Sequence, residues 1–226
     1  MEKILIFRRL NKDDDIVINM KEEKIAEFIG IMLGDGCIGI YNCKAGNKLK
    51  KQYQLKVTLD SRNKQYTNYV FNLMKEILGI EPKLSYKKSE NTVDIRTFVK
   101  EKVLYAIKNL GLRISPKWSN MEIPQKYAKD RLTLSVLRGL FDTDGSVTVF
   151  NNNGISYPRL EIRLSPCPAQ KQVIDIIKKN GFIFTIQTLD RGKIKIRLSG
   201  KKELIKWFKD IGSANNIYLD RAKPFL

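Results

Sequence analysis

"LRGLFDTDGSVTV", residues 137–149, starts as an apolar helix and ends on an acid followed by glycine. A carboxylate there meets the negative end of the helix dipole, a placement that costs roughly 0.3–1 kcal/mol. Earlier in the chain "FIGIMLGDGCIGI", residues 28–40, does the same. Aligned, the two stretches pair Phe28 with Leu137 and Gly36 with Gly145, and Asp35 falls opposite Asp144. Gly30 and Gly34 share one helix face, as do Gly139 and Thr143. Small residues at that spacing let two helix backbones come close.

The repetition extends outward. "YQLKVTLDSRNK" (53–64) and "RLEIRLSPCPAQ" (159–170) alternate as strands, with Leu55, Val57 and Leu59 matching Leu160, Ile162 and Leu164. Helical patterns follow at 66–79 and 170–181, ending on Gly79 and Gly181. "IEPKLSYKKSENTVDIRTFV" and "FIFTIQTLDRGKIKIRLSG" each read as two strands around a turn, with Val93 and Ile95 matching Ile194 and Ile196. Further helices end on Gly111 and Gly212. The expected class is therefore α+β, a duplicated αββαββα plan with the two acid-ended helices packed at a pseudo-twofold axis. Its divisions are an extension at 1–20 containing a small hairpin, a first half at 21–113, a connection at 114–132 and a second half at 133–226.

The composition restricts the chemistry. The 226 residues carry 42 Lys+Arg against 24 Asp+Glu, a formal net charge of +18, which favours a polyanionic partner. No histidine is present, so Ser-His and Cys-His machinery and Cys/His zinc sites are excluded. The three cysteines form no C-x-x-C pair. A reducing intracellular compartment, cytoplasmic or organellar, is the default, since no secretory leader or membrane-length apolar run is visible. Asp35 and Asp144, brought together at two helix C-termini, would repel each other. A hard divalent cation such as Mg²⁺ resolves that repulsion and suits phosphodiester hydrolysis. "DTDG" is not an EF-hand, because Gly145 opens a β-rich run without the remaining ligands.

The two aligned stretches resemble the paired motifs of the LAGLIDADG homing endonucleases, and the span from about residue 21 to 226 is similar to that family's duplicated plan. The resemblance implies two curved antiparallel sheets forming a saddle over double-stranded DNA, in a monomer that mimics a homodimer. It implies that Asp35 and Asp144, with Gly34 and Thr143 beside them, hold Mg²⁺ or Mn²⁺ and direct the cutting of one strand each, leaving short 3′ overhangs. Asp142 is not part of that pair, and Leu33 occupies its place in the first copy. Basic residues often stand beside the metals in this family. Lys117 and Lys223, each after the last helix of its half, are the candidates.

Alternation then assigns the side chains that face DNA. In the first half they are Gln52, Gln54, Lys56 and Thr58, then Lys83, Ser85 and Lys87, and Arg96 beside Asp94. In the second they are Arg159 and Arg163 beside Glu161, then Thr185 and Gln187, and Lys193, Lys195 and Arg197. Arg and Gln on a two-stranded ribbon suit guanine and adenine in the major groove. The halves differ at most of these positions, so the expected site is a degraded palindrome. The leading expectation is an intron-encoded or free-standing, site-specific DNA endonuclease. The alternatives are an RNA maturase acting on its host intron RNA and a non-catalytic DNA-binding regulator. A self-splicing intein is disfavoured by the absence of the terminal residues that splicing needs.

Overall fold

The computed structural model describes residues 20–45, 48–117, 119–129 and 131–226, so the hairpin expected within 1–20 lies outside the described residues. The first half contains α1 (Met20–Leu33), β1 (Gly36–Ala45), β2 (Lys48–Asp60), α2 (Lys64–Leu78), β3 (Lys83–Lys87), β4 (Thr92–Thr97) and α3 (Lys100–Lys108). The second contains α4 (Leu132–Asp144), β5 (Gly145–Asn152), β6 (Ile155–Leu164), α5 (Pro168–Lys179), β7 (Thr185–Thr188), β8 (Ile194–Ser199), α6 (Lys201–Asp210) and α7 (Asn216–Ala222). Each half forms one four-stranded antiparallel sheet, in the orders β1-β2-β4-β3 and β5-β6-β8-β7. The fold is the expected duplicated α+β plan, with α7 added at its end.

Local chemistry explains the elements. Leu55, Val57 and Leu59 bury one face of β2, and Leu160, Ile162 and Leu164 bury one face of β6. Asn63 caps α2 by accepting the Tyr66 N–H, and Gly79 ends it in the left-handed region at φ 63°. The alternation does not carry through to the edges. Leu84 and Tyr86 on β3 and Ile186 on β7 are exposed, because the main helix packing lies on the inner strands, α3 on β2 and α6 on β6 and β8.

At the centre α1 and α4 cross with their backbones in contact. A methyl group on Gly30 would stand 2.0 Å from the Val136 carbonyl oxygen, and one on Gly139 would stand 2.1 Å from that of Glu27. This reciprocity marks the pseudo-twofold axis. Buried Glu27 on α1 accepts a hydrogen bond from Tyr69 Oη at 2.7 Å and pairs with Arg138 on α4. The segment between the halves is anchored at both ends. Ser115 N–H donates to Ile38, while the Gln172 side chain on α5 clasps both backbone groups of Ile123. Among the described residues, no helix is long and apolar enough to cross a membrane.

Candidate active site and nucleic-acid interface

Two acids stand where the motif helices end. Asp144 closes α4, and Asp35 follows α1 by one turn residue, its carbonyl accepting the Thr58 N–H at 3.2 Å. The helix crossing brings their surroundings together. A methyl group on Gly34 would lie 1.9 Å from Thr143 Oγ1 and 3.4 Å from Asp144 Cγ. Burial pushes the Asp144 carboxyl up to about 7, with the Asp35 charge adding to it and Lys117 opposing. Burial also raises Asp35, again against Lys117.

Lys117, on the inter-half segment, acts on both acids through its charge. Its Nζ donates to the carbonyls of Met32 at 2.8 Å and Leu33 at 2.7 Å, and to that of Gly34. A cation there complements the negative end of α1. Burial lowers its pKa to about 8, with Asp144 and Asp35 pulling the other way. Lys223 is placed differently: it is exposed in the 3₁₀ turn Lys223–Phe225, and its side chain makes no hydrogen bond or ion pair among the described residues. Tyr218 stands as far beyond Gly212 as Lys117 does beyond Gly111, and it donates its hydroxyl to the Gly145 carbonyl. Residue type led the sequence reading to Lys223, whereas position after the helix-ending glycine leads to Tyr218.

The available donors are all oxygen. Thr143 Oγ1 is turned back to its own helix, donating its proton to the carbonyls of Gly139 and Leu140 at 3.1 and 3.0 Å, which leaves the lone pairs of Oγ1 and of its own carbonyl oxygen for a ligand. Among the described residues, no group of three or more His, Cys, Asp or Glu side chains gathers in a metal-holding cluster. A cation between Asp35 and Asp144 would therefore depend on two carboxylates, nearby carbonyls, water and substrate oxygens. That donor set fits a hard ion that keeps part of its hydration shell. Two buried, mutually repelling carboxylates beside a single ammonium leave the charge imbalance that such an ion would correct.

Asp142 has a separate, structural role. Its carboxylate accepts from Ser213 Oγ and from the Ala214 N–H at 2.7 Å, and its carbonyl accepts from Asn215 Nδ2. Asn215 Oδ1 accepts from Asn63 Nδ2 of the other half at 2.9 Å, so the network joins both halves. Nothing local in the sequence pairs Asp142 with Ser213, which lies 71 residues further on.

The assigned DNA-facing residues occupy the sheet surface opposite the helices. Gln52, Gln54 and Lys56 lie across from Tyr41, Gly39 and Cys37 of β1, Thr58 donates its N–H to the Asp35 carbonyl, and Lys56 pairs across β4 with Arg96, which pairs with Lys83 on β3. Ser85 lies opposite Asp94, while exposed Lys87 pairs with Glu90 at 3.4 Å. In the second half Arg159 lies opposite Ser199, Arg163 and Gln187 flank Lys195, and Thr185 flanks Arg197. Lys193 is exposed just before β8. The two acids of this surface are buried within it. Asp94 accepts from Thr58 Oγ1 at 2.7 Å and lies 3.6 Å from Lys56, and Glu161 accepts from Arg197 Nε at 2.7 Å. The sequence reading left out β1 and β5, whose face adds exposed Tyr41 and Phe150. The alternation around Ile38 and Val147 was the signal for them.

Comparison with known proteins follows the same outline. The family model for the LAGLIDADG DNA endonuclease family matches residues 25–208. A curated DNA polymerase from Thermococcus kodakarensis is 26% identical over 137 residues, which is 57% of this chain and 7% of that protein, so the chain spans a small fraction of that relative's length. Among solved structures, the I-LtrWI LAGLIDADG homing endonuclease bound to target DNA aligns over 91% of this chain and 90% of its own, at 13% identity and a TM-score of 0.64. Meganuclease I-SmaMI bound to uncleaveable DNA aligns over 89% and 90%, at 14% identity and a TM-score of 0.63. I-DmoI in complex with DNA and Mn aligns over 85% and 97%, at 18% identity and a TM-score of 0.56. At these identities the likeness to the solved structures is one of fold. With the family model spanning both motif helices and both sheets, the chain belongs to the LAGLIDADG DNA endonuclease family.

Proposed function

We propose that the protein is a site-specific endonuclease that cuts both strands of double-stranded DNA, using Mg²⁺ or Mn²⁺ held by Asp35 and Asp144. The observation that carries this reading is the meeting of two buried acids at contacting helix ends, between two sheets with basic faces. The two halves of one chain supply both acids, so a monomer suffices. A divalent ion there would supply charge stabilisation at a phosphate and an activated water. Gly34 and Thr143 would contribute backbone oxygens at its edge. Lys117 holds the end of α1 in place, keeps Asp35 and Asp144 more acidic than burial alone would leave them, and can donate to a phosphate oxygen. The complexes of I-DmoI with DNA and Mn, and of I-SmaMI with uncleaved DNA and calcium ions, support a divalent cofactor and a duplex partner for this fold.

The test is to incubate the full-length protein and Mg²⁺ with a plasmid library of randomised duplex inserts and sequence the cut ends. One family of sites should be cut in both strands, with cutting abolished by chelation. Asp35→Asn with Asp144→Asn should bind the same sites without cutting them. A wild-type protein that binds duplex DNA but leaves it intact in both Mg²⁺ and Mn²⁺ would overturn the endonuclease reading.

A further inference from the structure

The cations on the two sheet faces differ in what surrounds them. Equivalent cross-strand rungs run Cys37–Lys56–Arg96–Lys83 in the first sheet and Ser146–Glu161–Arg197–Thr185 in the second. Arg197 is held by Glu161 at 2.7 Å. Its counterpart Arg96 is instead flanked by a lysine on either side; the acid beside them, Asp94, lies 3.6 Å from Lys56 and accepts from Thr58 Oγ1, so no carboxylate among the described residues pairs with Arg96 itself. Arg96 lies over an aromatic ring, its guanidinium 5.4 Å from the Phe98 ring centre, and its buried Nε lacks a hydrogen-bond partner among the described residues.

One rung further along, Arg159 lies 4.0 Å from the Phe150 ring centre. Its cross-strand neighbours Thr148 and Ser199 are neutral. The position equivalent to Arg159 in the first half is Gln54. A guanidinium stacked on a ring has lost most of its rotamer freedom before binding. Its terminal N–H fork then fits two acceptors side by side, which a lysine cannot match. In a major groove that pair of acceptors is guanine O6 and N7.

We infer that Arg96 and Arg159 are specificity-determining residues, each reading one guanine, and that the two guanines are not related by the pseudo-dyad. The dyad mate of the Arg96 base pair faces Arg197, which Glu161 occupies, so many bases are tolerated there. The dyad mate of the Arg159 base pair faces Gln54, which favours adenine. This inference rests on the proposed DNA-recognition role of the two sheets.

The experiment is selection of bound duplexes from a randomised library by the full-length protein in Ca²⁺, which tests recognition apart from cutting. The wild type should enrich sites with two guanines at unequal distances from the centre. Arg96→Ala should erase the preference at one of them, lowering discrimination about 5- to 150-fold, and leave the other intact. Arg159→Ala should do the reverse. Arg96→Lys should keep overall affinity while losing the same preference. A consensus unchanged by these substitutions, or affinity lowered evenly across all sequences, would overturn the inference while leaving DNA recognition standing. Enrichment of no duplex by the wild type would remove the recognition reading itself, and this inference with it.

Discussion

Lys117 is one ammonium beside two carboxylates, and the pKa directions show what it does there. Burial raises Asp35 and Asp144, and Lys117 lowers both. Replacing it by methionine should therefore push the acids further up. The acidic limb of single-turnover cleavage should move to higher pH in Lys117→Met, so the loss is greater near pH 7 than near about pH 8.5, with DNA affinity little changed. A uniform loss with an unmoved limb would place the lysine's contribution in contact with substrate alone. The sequence supplied this lysine and, by the same rule, Lys223. Position separates them: Lys117 stands six residues beyond Gly111 on irregular chain, whereas Lys223 stands eleven beyond Gly212, past α7. The two acids were legible because both their misplacement at helix ends and its repetition are local properties.

The motif helices owe their contact to what they lack. At Gly30 the obstacle to a side chain is the Val136 backbone, which cannot rotate away. Gly30→Ala should thus destabilise the protein by about 1–3 kcal/mol or more, measured by urea unfolding. Gly139→Ala should match it, since the contact is reciprocal. The helices differ one turn further on, where α1 carries Leu33 and α4 carries Asp142. Converting the second to the first, Asp142→Leu, removes the acceptor of Ser213 Oγ and the Ala214 N–H. Unfolding should show a loss of about 1–3 kcal/mol despite the gain in apolar surface. An unchanged midpoint would mean that water or a local rearrangement satisfies both donors. Strand and helix periods were readable because each is written within a few residues. The partners of Asp142 lie in the segment before α7, far along the chain, and the exposure of Leu84, Tyr86 and Ile186 on edge strands β3 and β7 was not legible because alternation cannot report which strands the helices cover.

Joining the halves through acid-ended helices gives the entire molecule a stability that depends on pH and on cations. Burial raises Asp144 to about 7, and it raises Asp142 to about 7 as well. Unfolded, both groups titrate near 3.8. Between those values the folded protein binds more protons than the unfolded chain, so stability falls as pH rises and levels off above about 7. Asp35, also raised by burial, acts in the same direction, and the remaining shifted groups act outside this window. Asp60, lowered by its hydrogen bonds to Arg62, titrates below 3.8, and Lys117, lowered to about 8, adds stability only as pH rises beyond that value. In the absence of divalent ions, thermal unfolding should therefore occur at a lower temperature at about pH 7.5 than at about pH 5.5. Asp144→Asn should shrink that difference, because the amide never acquires the charge that burial penalises. Mg²⁺ should raise the midpoint more at the higher pH, where Asp144 is ionised and able to bind it, than at the lower. A midpoint that rises with pH in metal-free protein would mean that these acids are not held in the folded state as buried, uncompensated groups. A Mg²⁺ response that persists in Asp35→Asn/Asp144→Asn would place the cation elsewhere on the protein.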